Sequence, residues 1–456
     1  MTTVTAFSQR SATARFLIAA IVAAVLVAVV WLLWMAFGPG PMDFAGGQRV
    51  AGTSAQQATG APAELASASL VERGQYLARA ADCEACHTAE GGQPFAGGRA
   101  IVLPFGTLYS TNITADRQSG IGDYSDADFL RAMHQGIARD GTRLYPAMPY
   151  AAYTYMTDAD ALAIKAYLFS LAPVSTPRQP STFGFPYNQR WLMSFWSLFF
   201  NPDVRFQPNS GRSPEWNRGA YLAEAMAHCG ECHTPRNPLF ALDNRRKFSG
   251  AVQAGWRAYN VTSDRNTGVG SWSADDLKSF LGAGHASGRG TAGGPMGEAV
   301  DLSLRYLTPG DVSALVAYLV TVPPVSTPDL PAVKATPAPA SHSEGVTAAV
   351  DPRGKEVFEG ACVGCHGWTG VSPVLDHATL TGVRSVNDPT AINVVQAVLG
   401  GATLRSDSHT SMPAFGDAYS DAEVAAVANY VTARFGSSPS SVTAANVADM
   451  RRQVGK

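Results

Sequence analysis

A chain of 456 residues, 46% hydrophobic and 15% charged, is long enough to bury several cores and is neither a short disulfide-stapled module nor a charge-rich disordered segment. Its 34 Lys and Arg against 36 Asp and Glu leave a formal charge of −2, with no basic stripe or acidic block. That pattern gives nucleic acid no footing as a partner.

In chain order, residues 1–15 carry Arg10 and Arg15 and lead into an uncharged apolar run, residues 16–37. At about 1.5 Å per residue this run can cross a hydrocarbon core of about 30 Å, so it is expected as a transmembrane anchor. The arginines in front place the N-terminus in the cytoplasm and the remainder on the periplasmic side of the inner membrane. Trp31 and Trp34 suit an interfacial belt, and a cleaved signal peptide is the competing reading. Residues 38–69, rich in Ala, Gly, Ser, Thr and Gln, lack any period that would bury a face and are expected as a flexible tether.

Two long units follow, residues 70–177 and 213–328, related by an internal repeat. Arg73-Gly74-Gln75-Tyr76-Leu77 answers Arg218-Gly219-Ala220-Tyr221-Leu222, and Val174-Ser175-Thr176-Pro177 answers Val325-Ser326-Thr327-Pro328. Asn112 and Asn260, Gly120 and Gly268, and Met148 and Met296 all keep one spacing of 148 residues. An aromatic-rich connector, 178–212, joins them. Residues 329–349 form a Pro/Ala linker to a shorter third unit, 350–436, and residues 437–456 are expected as a C-terminal tail.

All six cysteines fall into the pattern Cys-x-x-Cys-His, at Cys83/Cys86/His87, Cys229/Cys232/His233 and Cys362/Cys365/His366. Chance would place one such pentapeptide in about one of several hundred chains of this composition. A thioredoxin-like pair or half a zinc site does not call for a histidine after the second cysteine every time. Two thiols on one helical turn can both add to the vinyl groups of a haem, with the next histidine facing the iron. Three covalently bound haem c groups are therefore expected, and no cysteine is left for a disulfide, an iron–sulfur cluster or a nucleophile.

Each iron needs a sixth ligand, and a thioether is the soft donor that raises the reduction potential. Met148, Met296 and Met412 are the candidates. Met296 and Met412 each stand alone between their motif and the end of their unit, and the repeat selects Met148 over Met133 and Met156. Core filling is the plainer role of a methionine. His134, His285 and His409 would serve a bis-histidine alternative.

Each unit reads as mostly α-helical, with one helix entering the haem motif and another closing the unit. Ser420 with Glu423 forms a capping box, and Thr308 an N-cap followed by Pro309. Gly354 and Phe358 stand eight and four residues before Cys362, where a small residue lets terminal helices cross closely. Tyr167, Tyr318 and Tyr430 sit late in the closing helices. In the connector, Trp191 to Phe200 is too short to span a bilayer; it suits inter-domain packing, a membrane surface, a dehydrogenase contact or a quinone neighbourhood.

The third unit resembles a small cytochrome c domain. From about Val71 onward the chain resembles the triple-haem cytochrome c subunits of bacterial membrane-bound alcohol, aldehyde and gluconate dehydrogenases. The segments that carry this are Arg73 to Leu77, Gly97-Gly98, Pro104 to Thr107, Ser110 to Thr114, Leu144 to Tyr150 and His228 to Asn237. The resemblance implies three cytochrome c domains in tandem behind the anchor. It also implies a non-catalytic electron-transfer role, from a periplasm-facing dehydrogenase subunit with molybdopterin, pyrroloquinoline quinone or flavin to ubiquinone at a partner or membrane interface. A small iron–sulfur or accessory subunit would be a further partner. The long anchor departs from the alcohol dehydrogenase version and favours an aldehyde-oxidising, molybdenum-type partner, and the Met296 region lacks the Tyr-Pro of the first unit. The alternatives are a tethered subunit of a terminal oxidase and a multihaem peroxidase-like enzyme, which would need an open axial site.

Overall fold

The computed structural model describes residues 3–37, 62–338, 351–404 and 411–453. Helix α1, Thr3–Phe37, contains the apolar span Ala14–Trp34, among the described residues the one helix long and apolar enough to cross a membrane. It runs without interruption through the polar N-terminal residues as well as the expected anchor.

The first unit contains α2 (Leu70–Ala80), α3 (Cys83–His87), the hairpin β1 (Ala100–Leu103) and β2 (Gly106–Tyr109), α4 (Asp126–Gln135), α5 (Tyr150–Tyr153) and α6 (Asp158–Ser170). Connector helix α7 covers Leu192–Phe200. The second unit repeats the plan with α8 (Pro214–Tyr221), α9 (Gly230–His233), β3 (Ala251–Gln253), β4 (Trp256–Ala258), α10 (Ala274–Ala283), β5 (His285–Ala286), β6 (Gly290–Thr291), α11 (Gly294–Leu302) and α12 (Pro309–Leu319). The third has α13 (Pro352–Val357), α14 (Val363–His366), α15 (Ile392–Gly400), β7 (Ala402–Thr403), β8 (Ser411–Met412), α16 (Asp421–Phe435) and α17 (Ala444–Arg451). The described strands pair only as antiparallel hairpins, so the architecture is mostly helical.

In each unit the entering helix crosses the closing helix at a glycine. A β-carbon at Gly74, Gly219 or Gly354 would overlap the carbonyl of Ala163, Ala314 or Ala426, and Tyr167, Tyr318 or Tyr430 packs beside it. The expected close crossing at Gly354 thus occurs three times. Gly219→Ala is expected to cost about 1–3 kcal/mol by overpacking, read as a lowered midpoint in thermal unfolding followed by circular dichroism. The closing helices begin at N-caps Thr157, Thr308 and Ser420, the last in a full capping box with Glu423.

The first two units share one continuous core, whereas the third has cores of its own. Their interface is reciprocal: Tyr76 Oη donates to Asp311 Oδ2 at 2.5 Å, and Tyr221 Oη donates to Asp160 Oδ2 at 2.5 Å. The tyrosines and the aspartates are repeat partners, so a pseudo-twofold relation joins the two units.

Three segments are more ordered than their composition suggests. Pro62 precedes a 3₁₀ turn, Ala63–Leu65, and Ser69 caps α2, so the end of the expected tether is structured. In the linker, Lys334 N donates to Asn387 Oδ1 at 2.9 Å and Ala338 N to the Thr369 carbonyl at 2.9 Å, fastening residues 329–338 across the third unit. The expected tail contains α17, whose Val447 is fully buried and whose Arg451 Nε binds Asp421 Oδ1 at 2.8 Å. These long-range bonds leave no trace in local periodicity.

Candidate cofactor sites

Each Cys-x-x-Cys-His motif sits on a single helical turn, α3, α9 or α14, at the end of the entering segment. In the second and third units that segment widens into a π-helical turn, Leu222–Met226 and Phe358–Cys362. Cys83 is buried and Cys229 and Cys362 half-buried, while Cys86, Cys232 and Cys365 are exposed. Every pair therefore has one thiol facing inward and one reachable from outside, and no disulfide joins them.

The histidines have one geometry three times over. His87 Nδ1 lies 2.6 Å from the Thr111 carbonyl, His233 Nδ1 2.6 Å from the Tyr259 carbonyl, and His366 Nδ1 2.6 Å from the Ala378 carbonyl. A carbonyl only accepts, so Nδ1 carries the proton and Nε2 presents its lone pair, the arrangement a metal-bound imidazole requires. Burial lowers the pKa of all three rings, against a smaller opposite effect of the carbonyl, and so favours the neutral form that binds iron. Paired thiols and an oriented neutral imidazole on one turn fit covalently attached haem c.

The repeat landmarks brace these carbonyls. Asn112 Nδ2 donates to the Val174 carbonyl at 2.6 Å, and Asn260 Nδ2 to the Val325 carbonyl at 2.6 Å. Thr111 and Tyr259 immediately precede these asparagines, so the conspicuous Asn-x-Thr segments tie the histidine-orienting loop to the segment that follows the closing helix. The two carbonyls themselves were invisible in the sequence, although the adjacent repeat marked their place.

The candidate methionines occupy three different settings. Met148 lies in a turn before α5, Met296 inside α11, and Met412 in β8. Met148 and Met296 are half-buried against the shared core that includes Cys83, with Cys229 also packed on it, whereas Met133 and Met156 are buried within it. The histidine rivals are engaged elsewhere. His134 is buried, with Nδ1 3.0 Å from the Tyr153 carbonyl and Nε2 3.2 Å from Asp158. His285 lies 2.9 Å from both Thr291 Oγ1 and Asp376 Oδ2, and stacks on His377. His409 lies outside the described residues.

Hydrogen bonds from His134 and Arg205, opposed by partial burial, hold the Asp158 carboxyl down at about 2. Its contribution to stability is complete above the ordinary carboxylate pKa of 3.8 and is lost as pH falls toward about 2. The thermal midpoint of Asp158→Asn should therefore lie below that of the parent at neutral pH and converge with it over that window.

The first two motifs face one another. The Arg99 guanidinium pairs with Glu298, Nη2 to Oε2 being 2.7 Å, and also donates to the Ala85 carbonyl at 2.5 Å. Helix α11 packs on α3, and Tyr153, whose hydroxyl donates to the Ala81 carbonyl beside the first motif, meets the His228 ring beside the second edge-on. Beside Cys229, Lys247 is buried against Glu224, which also accepts from Tyr318 Oη at 2.5 Å. Neither this cluster nor the Arg99–Glu298 clamp was singled out in the sequence, because their partners lie far apart in the chain.

The family model for cytochrome c matches residues 71–172, and that for subunit III of cbb3-type cytochrome c oxidase matches residues 349–431. Longer likenesses cover most of the chain. The gluconate 2-dehydrogenase cytochrome c subunit of Pantoea cypripedii is 38% identical over 412 residues, 85% of this chain and 91% of that protein. The fructose dehydrogenase cytochrome subunit of Gluconobacter japonicus is 37% identical over 406 residues, 84% and 82% of the two chains. The alcohol dehydrogenase (quinone) cytochrome c subunit of Gluconobacter oxydans (strain 621H) is 35% identical over 416 residues, 86% and 84%.

Proposed function

The chain belongs to the family of cytochrome c subunits of gluconate, fructose and alcohol dehydrogenases, and on that premise we propose that it takes electrons from a catalytic dehydrogenase subunit and delivers them to ubiquinone through three covalently bound haem c groups. The observation that carries this is the threefold recurrence of a Cys-x-x-Cys-His turn whose histidine donates Nδ1–H to a carbonyl at 2.6 Å.

When bound, haem c supplies a one-electron iron couple. The residues around it do the remaining work. Cys83 and Cys86, Cys229 and Cys232, and Cys362 and Cys365 would hold the groups through thioether links. His87, His233 and His366 would bind the irons through Nε2, and Met148, Met296 and Met412 would supply the thioether donors. Thr111, Tyr259 and Ala378 fix the imidazole orientation. The Arg99–Glu298 clamp and the reciprocal tyrosine–aspartate bonds hold the first two sites at a fixed separation, which favours direct exchange between them.

The single apolar span supports a single-pass anchor in the inner membrane, and Arg10 and Arg15 support placing the three cytochrome c domains on the periplasmic side. The catalytic partner carries the organic chemistry with molybdopterin, pyrroloquinoline quinone or flavin, alongside a small iron–sulfur or accessory subunit. In the native complex, the organic substrate should reduce the haems and a short-chain ubiquinone should reoxidise them, both followed by absorbance. Carbon monoxide and peroxide should leave the reduced spectrum nearly unchanged; rapid stoichiometric binding at one haem would reveal an open axial site and favour a peroxidase-like enzyme instead. The match of residues 349–431 to an oxidase subunit favours a second reading, a tethered donor to a terminal oxidase, which co-purification with a copper- and haem-bearing core would reveal.

A further inference from the structure

Helix α7 is apolar on both faces. Its inner face is accounted for: Trp196 Nε1 donates to the Leu239 carbonyl at 2.9 Å and its ring meets Tyr150 edge-on, while Ser197 is buried beneath the Tyr150 hydroxyl at 3.3 Å. The outer face carries Trp191, Phe195, Leu198 and Phe199, at the spacing of one helical stripe and all exposed, Leu198 by 74%. A helix that met water there would carry polar groups, yet no charged residue occurs from Trp191 to Phe200. Leu239 of the second unit, 41% exposed, adjoins the helix through the carbonyl that accepts from Trp196.

What covers the patch is indicated by its neighbour. Helix α7 packs against α1, the helix able to span a bilayer. The least exposed large side chains of that span are Leu32 at 37% and Val29 and Trp31 at 43%, all near its C-terminal end. At about 1.5 Å per residue, the nine residues of α7 reach only about 14 Å, too short to cross and long enough to lie in the boundary between headgroups and acyl chains. We propose that the outer face of α7 is a second membrane-contact site that inserts into the lipid surface beside the end of α1. It holds the joined first and second units on the bilayer, so that they do not swing on a tether. The inference goes beyond the electron-transfer reading and does not depend on it.

The test uses the full chain reconstituted in vesicles of phosphatidylethanolamine and phosphatidylglycerol doped with a photoactivatable phospholipid. L198C is compared with V371C, an exposed position in the third unit, with the parent protein as blank for native thiols. A membrane-impermeant maleimide should modify the L198C thiol at least about tenfold more slowly than the V371C thiol, and illumination should place lipid adducts on the 191–200 peptide. Equal rates without adducts would overturn the proposal. So would protection without adducts, because another protein or a second copy would then cover the face. Leu198 points away from the core, and an unchanged haem spectrum in L198C verifies that the fold is intact.

Discussion

Replacing Met148 with histidine is expected to lower the midpoint potential of one haem by on the order of 0.1–0.3 V and to leave the other two near their parent values. Exchanging a thioether for an imidazole removes the soft donor that stabilises ferrous iron, and axial-ligand identity sets haem potentials over a range of about 0.8 V. A core-filling methionine would behave differently. Met156 is fully buried in the shared core, and Met156→Leu should cost less than about 1.5 kcal/mol of stability without moving any potential. Spectroelectrochemical titration of the two variants separates the roles. A Met148→His protein with three unmoved potentials would remove Met148 from the ligand set. The same substitution at Met296 is informative because its helical setting differs from the turn that holds Met148.

The second large effect lies beside the second motif. Lys247→Met is expected to destabilise the protein by about 3–5 kcal/mol, because it strands the Glu224 carboxylate in a site where both side chains are nearly inaccessible. The Tyr318 hydroxyl, 2.5 Å from Glu224, remains as its single strong donor. Replacing both members, Glu224→Gln with Lys247→Met, should recover much of the loss, since the cost comes from an uncompensated charge more than from the absent pair. Chemical unfolding of the single and double variants measures the coupling. A single variant as stable as the parent would mean that water or a third group satisfies Glu224.

The features legible in the sequence are those governed by short spacing or by the repeat. The Cys-x-x-Cys-His turns are local, Gly354 announces a close helix crossing, and Thr308 and Ser420 announce helix starts. The offset of 148 residues aligns Thr111 with Tyr259 as surely as Asn112 with Asn260. The fusion of two units into one core was not legible, because it rests on Tyr76 finding Asp311 and Tyr221 finding Asp160, pairings set only once the chain has folded. The docking of linker and tail was not legible for a related reason: Lys334, Ala338 and Arg451 bond to residues distant in the chain, and neither composition nor period reports those. The aromatic run could not be apportioned from sequence because apolar residues occur on every side of it; only α7 divides Trp196 and Ser197 from Trp191, Phe195 and Leu198.

The central claim is a three-haem relay working with a catalytic partner. The most direct test is to purify the native protein from membranes in mild detergent, count haems by pyridine haemochrome and identify what accompanies it. Three haems per chain together with a dehydrogenase subunit and its cofactor are the predicted result. A solitary chain with fewer haems, or one that turns over peroxide, would contradict it.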